Sequence, residues 1–333
     1  MKEKILDVRH LRTEFIADGK SLTTVNDVSF SVKQGEIFGI IGESGSGKSV
    51  TCRSVIGLLK DKGRVTGGEI LYKGVDLRKL KPKEMQRIRG SEIGMIFQEP
   101  MTTLNPVVTI GKQITEAIRE KMTKKEKTER AIELMRLVGI PSPEERINAY
   151  AHQFSGGMRQ RAMIAIALAS GPELLLADEP TTALDVTIQY QIIHLLKELR
   201  KKIGMSMIFV THDLGVASKL CDRIAVMYAG RIMEIAPARE IFMNPKHPYT
   251  YGLMRAVPSI YRKGEKLYSI EGTPPLPGSF PEGCPFSPRC DFCKEGCKKT
   301  IPDLTEESAG HYTRCSRIKK LGLGTYKKVS GYE

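Results

Sequence analysis

The sequence predicts an α/β fold with a largely parallel sheet, followed by a small irregular C-terminal region that is rich in cysteine. Short apolar runs that suit buried strands alternate with segments of helical periodicity as far as about Pro258. A glycine-rich turn, Gly42–Ser49, follows one of these strands and opens a helix. Beyond Pro258 the periodicity fades, and the chain becomes rich in proline and then in cysteine.

Apolar periodicity places the individual elements. We expect strands over Leu6–Phe15, Val25–Val32, Glu36–Ile41, Glu69–Tyr72, Ile93–Phe97, Leu174–Ala177, Met207–Thr211, Ile224–Tyr228 and Arg231–Ile235, the last two forming a hairpin that turns at Ala229-Gly230. We expect helices over Ser49–Leu59, most of residues 108–140 with a stop at Gly139, Ile188–Lys201, and a short segment after Thr211.

Composition limits the class of protein. The chain has 333 residues, of which 41% are hydrophobic, and lacks an apolar run long enough to span a membrane. Because the N-terminus also lacks the apolar core of a signal peptide, we expect a cytoplasmic protein. The formal charge of +14 suits an acidic partner, either nucleic acid or an anionic membrane face, but a solvated basic surface explains it better. No Lys/Arg block resembles a nucleic-acid arm, since Lys121–Lys127 suits a helix face.

The turn at residues 42–49 has the full Walker A pattern, in the strand-to-helix context that this pattern requires. Its glycines let successive N–H groups face a phosphate chain. Lys48 can reach the β- and γ-phosphates, and the Ser49 hydroxyl can bind Mg²⁺. A glycine-rich turn that binds nothing is the alternative, and the complete pattern disfavours it.

A second nucleotide motif follows the strand at Leu174–Ala177, where Asp178 and Glu179 lie at the predicted sheet edge. Asp178 suits a Mg²⁺ ligand acting through water, and Glu179 suits a base for the attacking water. Taken alone, an Asp-Glu pair more commonly begins a helix. The Walker A pattern upstream reverses that preference.

The segment Phe154–Arg161 contains Ser155-Gly156-Gly157 ahead of an apolar helical run, and it resembles the signature motif of ATP-binding cassette (ABC) ATPases. In that family the motif closes on the γ-phosphate held by a second subunit. Met158 departs from the glutamine of many members. Three further matches follow the family's order: Gln98 resembles the Q-loop glutamine, Ala183-Leu184-Asp185 the D-loop at the dimer interface, and His212 the switch histidine.

The resemblance covers roughly residues 5–258 and implies an ABC-type P-loop ATPase core, domain 1–258, with a helical subdomain at about 99–170. It implies Glu179, His212 and Gln98 as catalytic residues, and Mg²⁺ held by Ser49, Gln98 and Asp178. Phe15 is the candidate for stacking on adenine, although an aromatic at a strand end is as often core. The implied ATP-binding residues are Phe15, Gly42, Glu43, Ser44, Gly45, Ser46, Gly47, Lys48, Ser49 and Val50.

Two segments of the later chain resemble ATPase subunits of the dipeptide/oligopeptide/nickel class of ABC importers, namely His247–Pro258 and Gly283–Cys290. The class implies a C-terminal domain, 259–333, in which Cys284, Cys290, Cys297 and Cys315 are the expected ligands and Cys293 an alternate. A [4Fe–4S] cluster suits this widely spaced all-cysteine set better than Zn²⁺, which favours two close pairs. Reduced thiols without metal are the third alternative.

The resemblance therefore implies an ATPase subunit that powers peptide import, with nickel as the alternative cargo. Its partners would be a second and different ATPase chain, two transmembrane permease subunits and an extracytoplasmic peptide-binding protein, with the chain peripheral on the cytoplasmic membrane face. No nucleic acid is expected.

Two rivals belong to other classes. A soluble ABC ATPase acting on ribosomes or DNA is disfavoured by the single cassette and by the short distance between Ser49 and Ser155, which leaves no room for a coiled coil. A regulatory module that uses the tail as a redox sensor is the other.

Overall fold

A computed structural model describes residues 3–60, 62–182, 184–256 and 268–318 of the chain. Ala183 of the expected D-loop and the expected domain boundary at 258/259 lie outside these ranges. The strands are β1 (Lys4–Ala17), β2 (Lys20–Lys33), β3 (Ile37–Ile41), β4 (Arg64–Tyr72), β5 (Val75–Asp76), β6 (Ile93–Ile96), β7 (Leu174–Asp178), β8 (Ser206–Thr211), β9 (Arg223–Tyr228), β10 (Arg231–Pro237), β11 (Thr305–Ser308) and β12 (His311–Thr313).

The helices Lys48–Val55, Val186–Ile203 and Leu214–Leu220 overlap those that the sequence predicts, and several further helices were not predicted. The helices are α1 (Lys48–Val55), α2 (Pro82–Ser91), α3 (Pro100–Thr103), α4 (Ile110–Ala117), α5 (Lys124–Leu137), α6 (Pro143–Arg146), α7 (Gly156–Leu168), α8 (Val186–Ile203), α9 (Leu214–Leu220), α10 (Ala238–Met243), α11 (Pro248–Arg255) and α12 (Glu295–Lys299). None of the helices in the described part of the chain combines the length and hydropathy that crossing a membrane would require.

The chain folds as two compact units. The first comprises Met1–Ile5, Val32–Glu36 and Tyr72–Val210, and the second comprises Leu6–Ser31, Ile37–Leu71 and Thr211–Glu333. The described tail, residues 268–318, thus falls within the second unit. The separate C-terminal domain that the sequence predicts stays a prediction.

The first unit contains three parallel strands in the order β8-β7-β6, with Leu174 aligned to Ser206 on one side and to Ile93 on the other. Every residue of β7 and β8 is buried, as expected of central strands in a parallel sheet. Helices α4, α5 and α7 pack against one another. The two carboxyl-terminal ends that carry the candidate site residues of this unit, those of β6 and β7, lie side by side.

The helical stretch that the sequence predicts over most of residues 108–140 is two helices, α4 and α5. The break has a local cause, because Thr123 begins a new helix with a capping box. Its side chain accepts from Glu126 N, while the Glu126 carboxylate accepts from Thr123 N. The predicted stop at Gly139 is confirmed, since α5 ends at Leu137 and Gly139 has a φ of 76°.

The second unit contains the strand order β11-β12-β10-β9-β3, together with a separate sheet in which β1 lies between β2 and β4. Strands β3 and β9 are parallel, with Ile40 aligned to Ala225. The predicted hairpin at Ala229-Gly230 joins β9 to β10 in antiparallel pairing. All five residues of β3 are buried, so the glycine-rich turn at its end starts from a rigid base.

The tail is attached to this sheet by β12, which pairs with β10 so that Ile235 aligns with Tyr312. Beside this pairing, the fully buried Glu234 carboxylate contacts His311 Nε2 at 2.6 Å. The same carboxylate accepts hydrogen bonds from Lys246 N at 2.7 Å and His247 N at 2.9 Å. The tail therefore supplies one partner of a buried polar group in the sheet, which would otherwise be costly to bury.

We expect His311→Leu to lower the free energy of unfolding by about 3 kcal/mol, because it leaves a buried carboxylate without one of its partners. The measurement is the urea midpoint of the full chain followed by circular dichroism. The matched control is His10→Leu, which removes a contact to Asp27 from a side chain that is 80% exposed. That variant should stay within about 0.5 kcal/mol of wild type. Equal losses in the two variants would contradict the role of the buried pair.

Candidate functional site

The glycine-rich turn of the second unit has the geometry of a phosphate-binding loop. Gly42 and Gly47 have φ values of 153° and 100°, which other residues rarely adopt. A side chain at Gly42 would also collide with the Met227 carbonyl oxygen. The buried Lys48 Nζ donates to Gly42 O at 2.8 Å and to Glu43 O at 2.9 Å, so it lies curled within the loop.

Residues around this lysine complete the loop. Ser49 and Val50 are half-buried in the first turn of α1, while Ser44 and Gly45 are exposed. Ser46 is buried, and its Oγ has no hydrogen-bond partner in the part of the chain that the structure describes. A helix N-terminus with exposed loop residues before it can receive an anion.

The acidic pair lies in the first unit, where β7 ends. Asp178 is fully buried and Glu179 is half-buried. Glu179 has a φ of 48°, a left-handed conformation that is strained for a residue with a side chain, and its N–H donates to Val210 O at 3.0 Å. Strain of this kind is commonly found at functional positions.

The structure brings Gln98 and Glu179 together, because the strands that they follow, β6 and β7, are neighbours in the sheet. Gln98 follows β6, and its Nε2 donates to Glu179 Oε2 at 3.3 Å. The Thr182 hydroxyl donates to the same oxygen at 2.9 Å. The Gln98 amide and the Thr182 hydroxyl are therefore two of the groups that orient the Glu179 carboxylate.

The Ser155 segment begins helix α7. Ser155 is exposed and caps the helix, with its Oγ accepting from Met158 N at 3.3 Å. A Cβ at Gly157 would lie 2.9 Å from Ile188 Cγ2, so this glycine permits close packing against α8. Gly156 is exposed, and the nearest atom to a Cβ placed there is 4.0 Å away. The exposed Ser155-Gly156 face is thus open to an approaching group.

Asp185 and His212 also lie at the starts of helices. Asp185 is exposed and caps α8, accepting from Ile188 N at 2.9 Å. His212 is exposed, and the following residue, Asp213, caps α9 by accepting from Val216 N at 3.0 Å. Asp185 therefore has a structural role of its own beside the one predicted for it.

Phe15 lies inside β1 rather than at its end. The ring is half-buried, and a Cβ placed on Gly63 would come within 2.6 Å of its Cε1 atom. Part of the ring is thus in the packing of the second unit, and part stays accessible for stacking.

The four cysteines expected as ligands line one pocket in the second unit, and Cys293 does not. The Cys293 thiol instead lies near the Lys294 carbonyl oxygen, at 3.6 Å. The other walls of the pocket are mainly apolar and include Phe286, Phe292 and Pro302. The pocket is lined by Cys284, Cys290, Cys297 and Cys315.

These thiols suit a metal in their chemistry but are not preassembled around one. Within residues 3–60, 62–182, 184–256 and 268–318, no group of three or more His, Cys, Asp or Glu side chains is arranged to hold a metal ion. Burial raises the pKa of Cys284 to about 11 and that of Cys290 to about 12. A metal would therefore have to displace protons and draw the sulfur atoms together.

Several residues of this region carry no role in the sequence interpretation. Tyr228, Tyr249 and Phe286 form a cluster with ring centroids 4.6–5.4 Å apart. Arg289 contacts Glu43 of the phosphate loop. Tyr249, Phe286 and Arg289 belong to the two segments that resemble importer subunits. The resemblance therefore identified the segments that contain these residues, but it did not predict their contacts. Thr182 had no signal beyond its position after the acidic pair.

Comparisons with known proteins agree with both parts of the chain. Residues 25–182 match the family described as ABC transporter, and residues 233–297 match the oligopeptide/dipeptide transporter C-terminal region. The dipeptide transport ATP-binding protein DppD of Bacillus subtilis (strain 168) is 50% identical over 94% of each chain. The oligopeptide transport ATP-binding protein OppD of the same organism is 49% identical, over 93% of this chain and 88% of its own.

Solved structures extend the likeness to three dimensions. The dimeric structure of MJ0796, a bacterial ABC transporter cassette, has a TM-score of 0.63 and 29% identity, covering 70% of this chain and 99% of its own. The post-hydrolysis state of the same cassette, bound to ADP and Pi, has the same score.

We expect Thr182→Val to lower the rate of nucleotide hydrolysis about tenfold, because it removes one hydrogen bond to a charged carboxylate. Nucleotide affinity should stay unchanged, so the loss should appear in kcat and not in KM. The matched control is Thr128→Val, which removes an exposed hydroxyl that donates to Lys124 O in α5. An unchanged kcat for Thr182→Val would show that the hydroxyl does not orient Glu179.

Proposed function

The chain belongs to the ATP-binding proteins of ABC peptide transporters, and from that premise we propose that it is the ATP-hydrolysing subunit that powers import of dipeptides or oligopeptides. One observation carries the proposal: a chain with an intact phosphate loop also matches the C-terminal region of oligopeptide/dipeptide transporters over residues 233–297. Import of nickel is the alternative, and the names of the relatives favour peptide.

We infer that the residues of the nucleotide site have the following roles. The loop N–H groups and Lys48 bind the phosphates of ATP, and Ser49 binds Mg²⁺. Asp178 holds Mg²⁺ through water with help from Gln98, and Glu179 accepts a proton from the attacking water. The two donors to the Glu179 carboxylate support this last role, because they hold it in a fixed orientation at the end of β7. His212 would contact the γ-phosphate, and Phe15 would stack on adenine.

The exposed start of α7 supports a role in trans. Ser155 and Gly156 are open to an approaching group, and the N–H groups of α7 favour an anion there. We propose that they close on the γ-phosphate bound by a second ATPase subunit, with Asp185 at the interface. Importers of the class that this chain resembles commonly pair two different ATPase chains, so we expect that subunit to be a different chain.

The remaining partners follow from the proposed transport role. They are two transmembrane permease subunits and, in the complete system, an extracytoplasmic peptide-binding protein. The chain would be peripheral on the cytoplasmic face of the membrane.

The cysteine pocket is the proposed site of a [4Fe–4S] cluster, with Zn²⁺ or metal-free thiols as alternatives. Two observations support it: Cys284, Cys290, Cys297 and Cys315 line one pocket, and its other walls are mainly apolar. All-cysteine ligation in a protected pocket suits such a cluster. Cys293 would be outside the ligand set.

We expect Glu179→Gln to lower ATP turnover at least about a hundredfold in the assembled transporter, because it removes the general base while keeping the shape of the side chain. The measurement pairs phosphate release with uptake of labelled dipeptide into proteoliposomes. Glu173→Gln is the matched control, since it removes an exposed carboxylate at the start of the same strand region. Unchanged turnover in Glu179→Gln would contradict the assignment, and uptake of Ni²⁺ without uptake of peptide would favour the alternative cargo.

We expect protein purified without oxygen to be brown and to contain iron and sulfide in the ratio of a [4Fe–4S] cluster. Cys290→Ser should lose iron, whereas Cys293→Ser should retain it, because Cys290 lines the pocket and Cys293 does not. The measurements are elemental analysis and the visible absorption spectrum. A colourless protein with zinc and no iron would overturn the cluster in favour of Zn²⁺. Iron lost from Cys293→Ser would overturn the ligand set.

A further inference from the structure

An ion pair joins the phosphate loop to the cysteine-containing tail of the second unit. Glu43, the residue after Gly42, and Arg289, the residue before Cys290, are 246 positions apart in the chain. Arg289 Nη1 lies 2.7 Å from Glu43 Oε2, and Arg289 Nη2 lies 3.1 Å from Glu43 Oε1. The pair is bidentate, which is the strongest geometry that an arginine and a carboxylate can adopt.

Arg289 is held rigidly enough to act as a fixed charge. Its side chain is only 5% exposed, against 28% for Glu43. Its Nε donates to Glu271 O at 2.9 Å, and its Nη1 also reaches the Tyr228 hydroxyl at 3.3 Å. The guanidinium lies 5.7 Å from the centre of the Tyr228 ring. The arginine therefore keeps its orientation without relying on Glu43 alone.

Glu43 is fixed through its backbone as well as its carboxylate. Its N–H donates to the Tyr249 hydroxyl at 3.0 Å, and its carbonyl oxygen accepts from Lys48 Nζ at 2.9 Å. Ser46 N donates to the same oxygen at 3.2 Å. A shift of Glu43 would consequently move the lysine that is proposed to bind the β- and γ-phosphates.

The negative charge of Glu43 opposes the binding of a polyphosphate, and Arg289 offsets that charge. A carboxylate within a phosphate-binding loop repels a polyphosphate, and this repulsion is strong where solvent is partly excluded. A buried guanidinium paired with the carboxylate cancels most of that repulsion. None of the roles inferred for the nucleotide site accounts for a tail arginine at this position.

We propose that Arg289 is a positioning residue for ATP binding, which neutralises Glu43 and fixes the phosphate loop from the C-terminal tail. The proposal rests on the proposed function, namely that the loop at residues 42–49 binds ATP. The competing explanation is that the pair only attaches the tail to the second unit. The two explanations predict different losses of affinity when Arg289 is replaced. If the arginine acts through its charge, the loss grows with the number of phosphates on the ligand. If it only attaches the tail, the loss does not depend on the number of phosphates.

The test measures binding of Mg²⁺-ATP, ADP and adenosine to the full chain by calorimetry, with Arg289→Gln beside wild type. We expect ATP to bind about tenfold more weakly to the variant, ADP to lose less, and adenosine to be unaffected. The deficit should shrink as salt is raised, because screening weakens the repulsion. An equal loss for all three ligands, or no loss for ATP, would overturn the proposal.

Two further variants keep the test decisive if Arg289→Gln is unstable. Arg289→Lys keeps the charge but loses the bidentate geometry, so it should bind ATP more tightly than Arg289→Gln and less tightly than wild type. Glu43→Gln combined with Arg289→Gln removes both charges and should restore most of the affinity for ATP. Failure of the double variant to bind ATP better than Arg289→Gln would contradict the neutralising role.

The matched control is Arg314→Gln. Arg314 is also 5% exposed, also precedes a cysteine, and pairs with Asp27 at 3.1 Å outside the phosphate loop. We expect the control to bind ATP as wild type does, and a loss equal to that of Arg289→Gln would overturn the proposal. The proposed function is tested separately with Lys48→Ala. If this variant binds ATP as tightly as wild type does, the role of the loop in ATP binding is contradicted.

Discussion

The turn between β3 and α1 depends on backbone dihedrals that only glycine adopts without strain. A side chain at Gly42 would collide with the Met227 carbonyl oxygen. Gly47, the residue that caps the start of α1, has a left-handed conformation. This path brings two carbonyl oxygens around Lys48 and leaves Ser44 and Gly45 exposed before the helix. The aromatic cluster and Arg289 then support the turn at a single residue, Glu43.

The first unit applies a different constraint to its own candidate residues. Glu179 follows a wholly buried strand and takes up a strained left-handed conformation, in which its N–H still pairs with Val210. The strain is tolerated because the strand behind it is rigid, and donors from Gln98 and Thr182 hold the carboxylate. Both units therefore hold their reactive groups at the ends of buried strands, where the backbone is least free to move.

Much of this arrangement was predictable because it is local. The phosphate loop, the acid pair after β7 and the helix starting at Ser155 each depend on a few consecutive residues. The strand order that brings Gln98 beside Glu179 was not predicted, because it is not local. The four cysteines chosen as ligands line one pocket, but among the described residues they are not arranged to hold a metal, so their role as ligands stays a prediction. The contact of Arg289 with Glu43 could not be predicted, because no local pattern encodes a pair 246 positions apart.

The same long separation has a consequence for how such chains can be recombined. A loop that carries a glutamate at position 43 and a tail that carries an arginine at position 289 form one electrostatic unit, although they lie near opposite ends of the chain. A chimera joined anywhere between them inherits half of the pair from each parent. Such a chimera keeps every nucleotide motif intact and still depends on the match between the two parents. Exchanging the tail alone would replace the residue that pairs with Glu43. The exchange would therefore alter the phosphate loop, although the tail contains none of the loop residues.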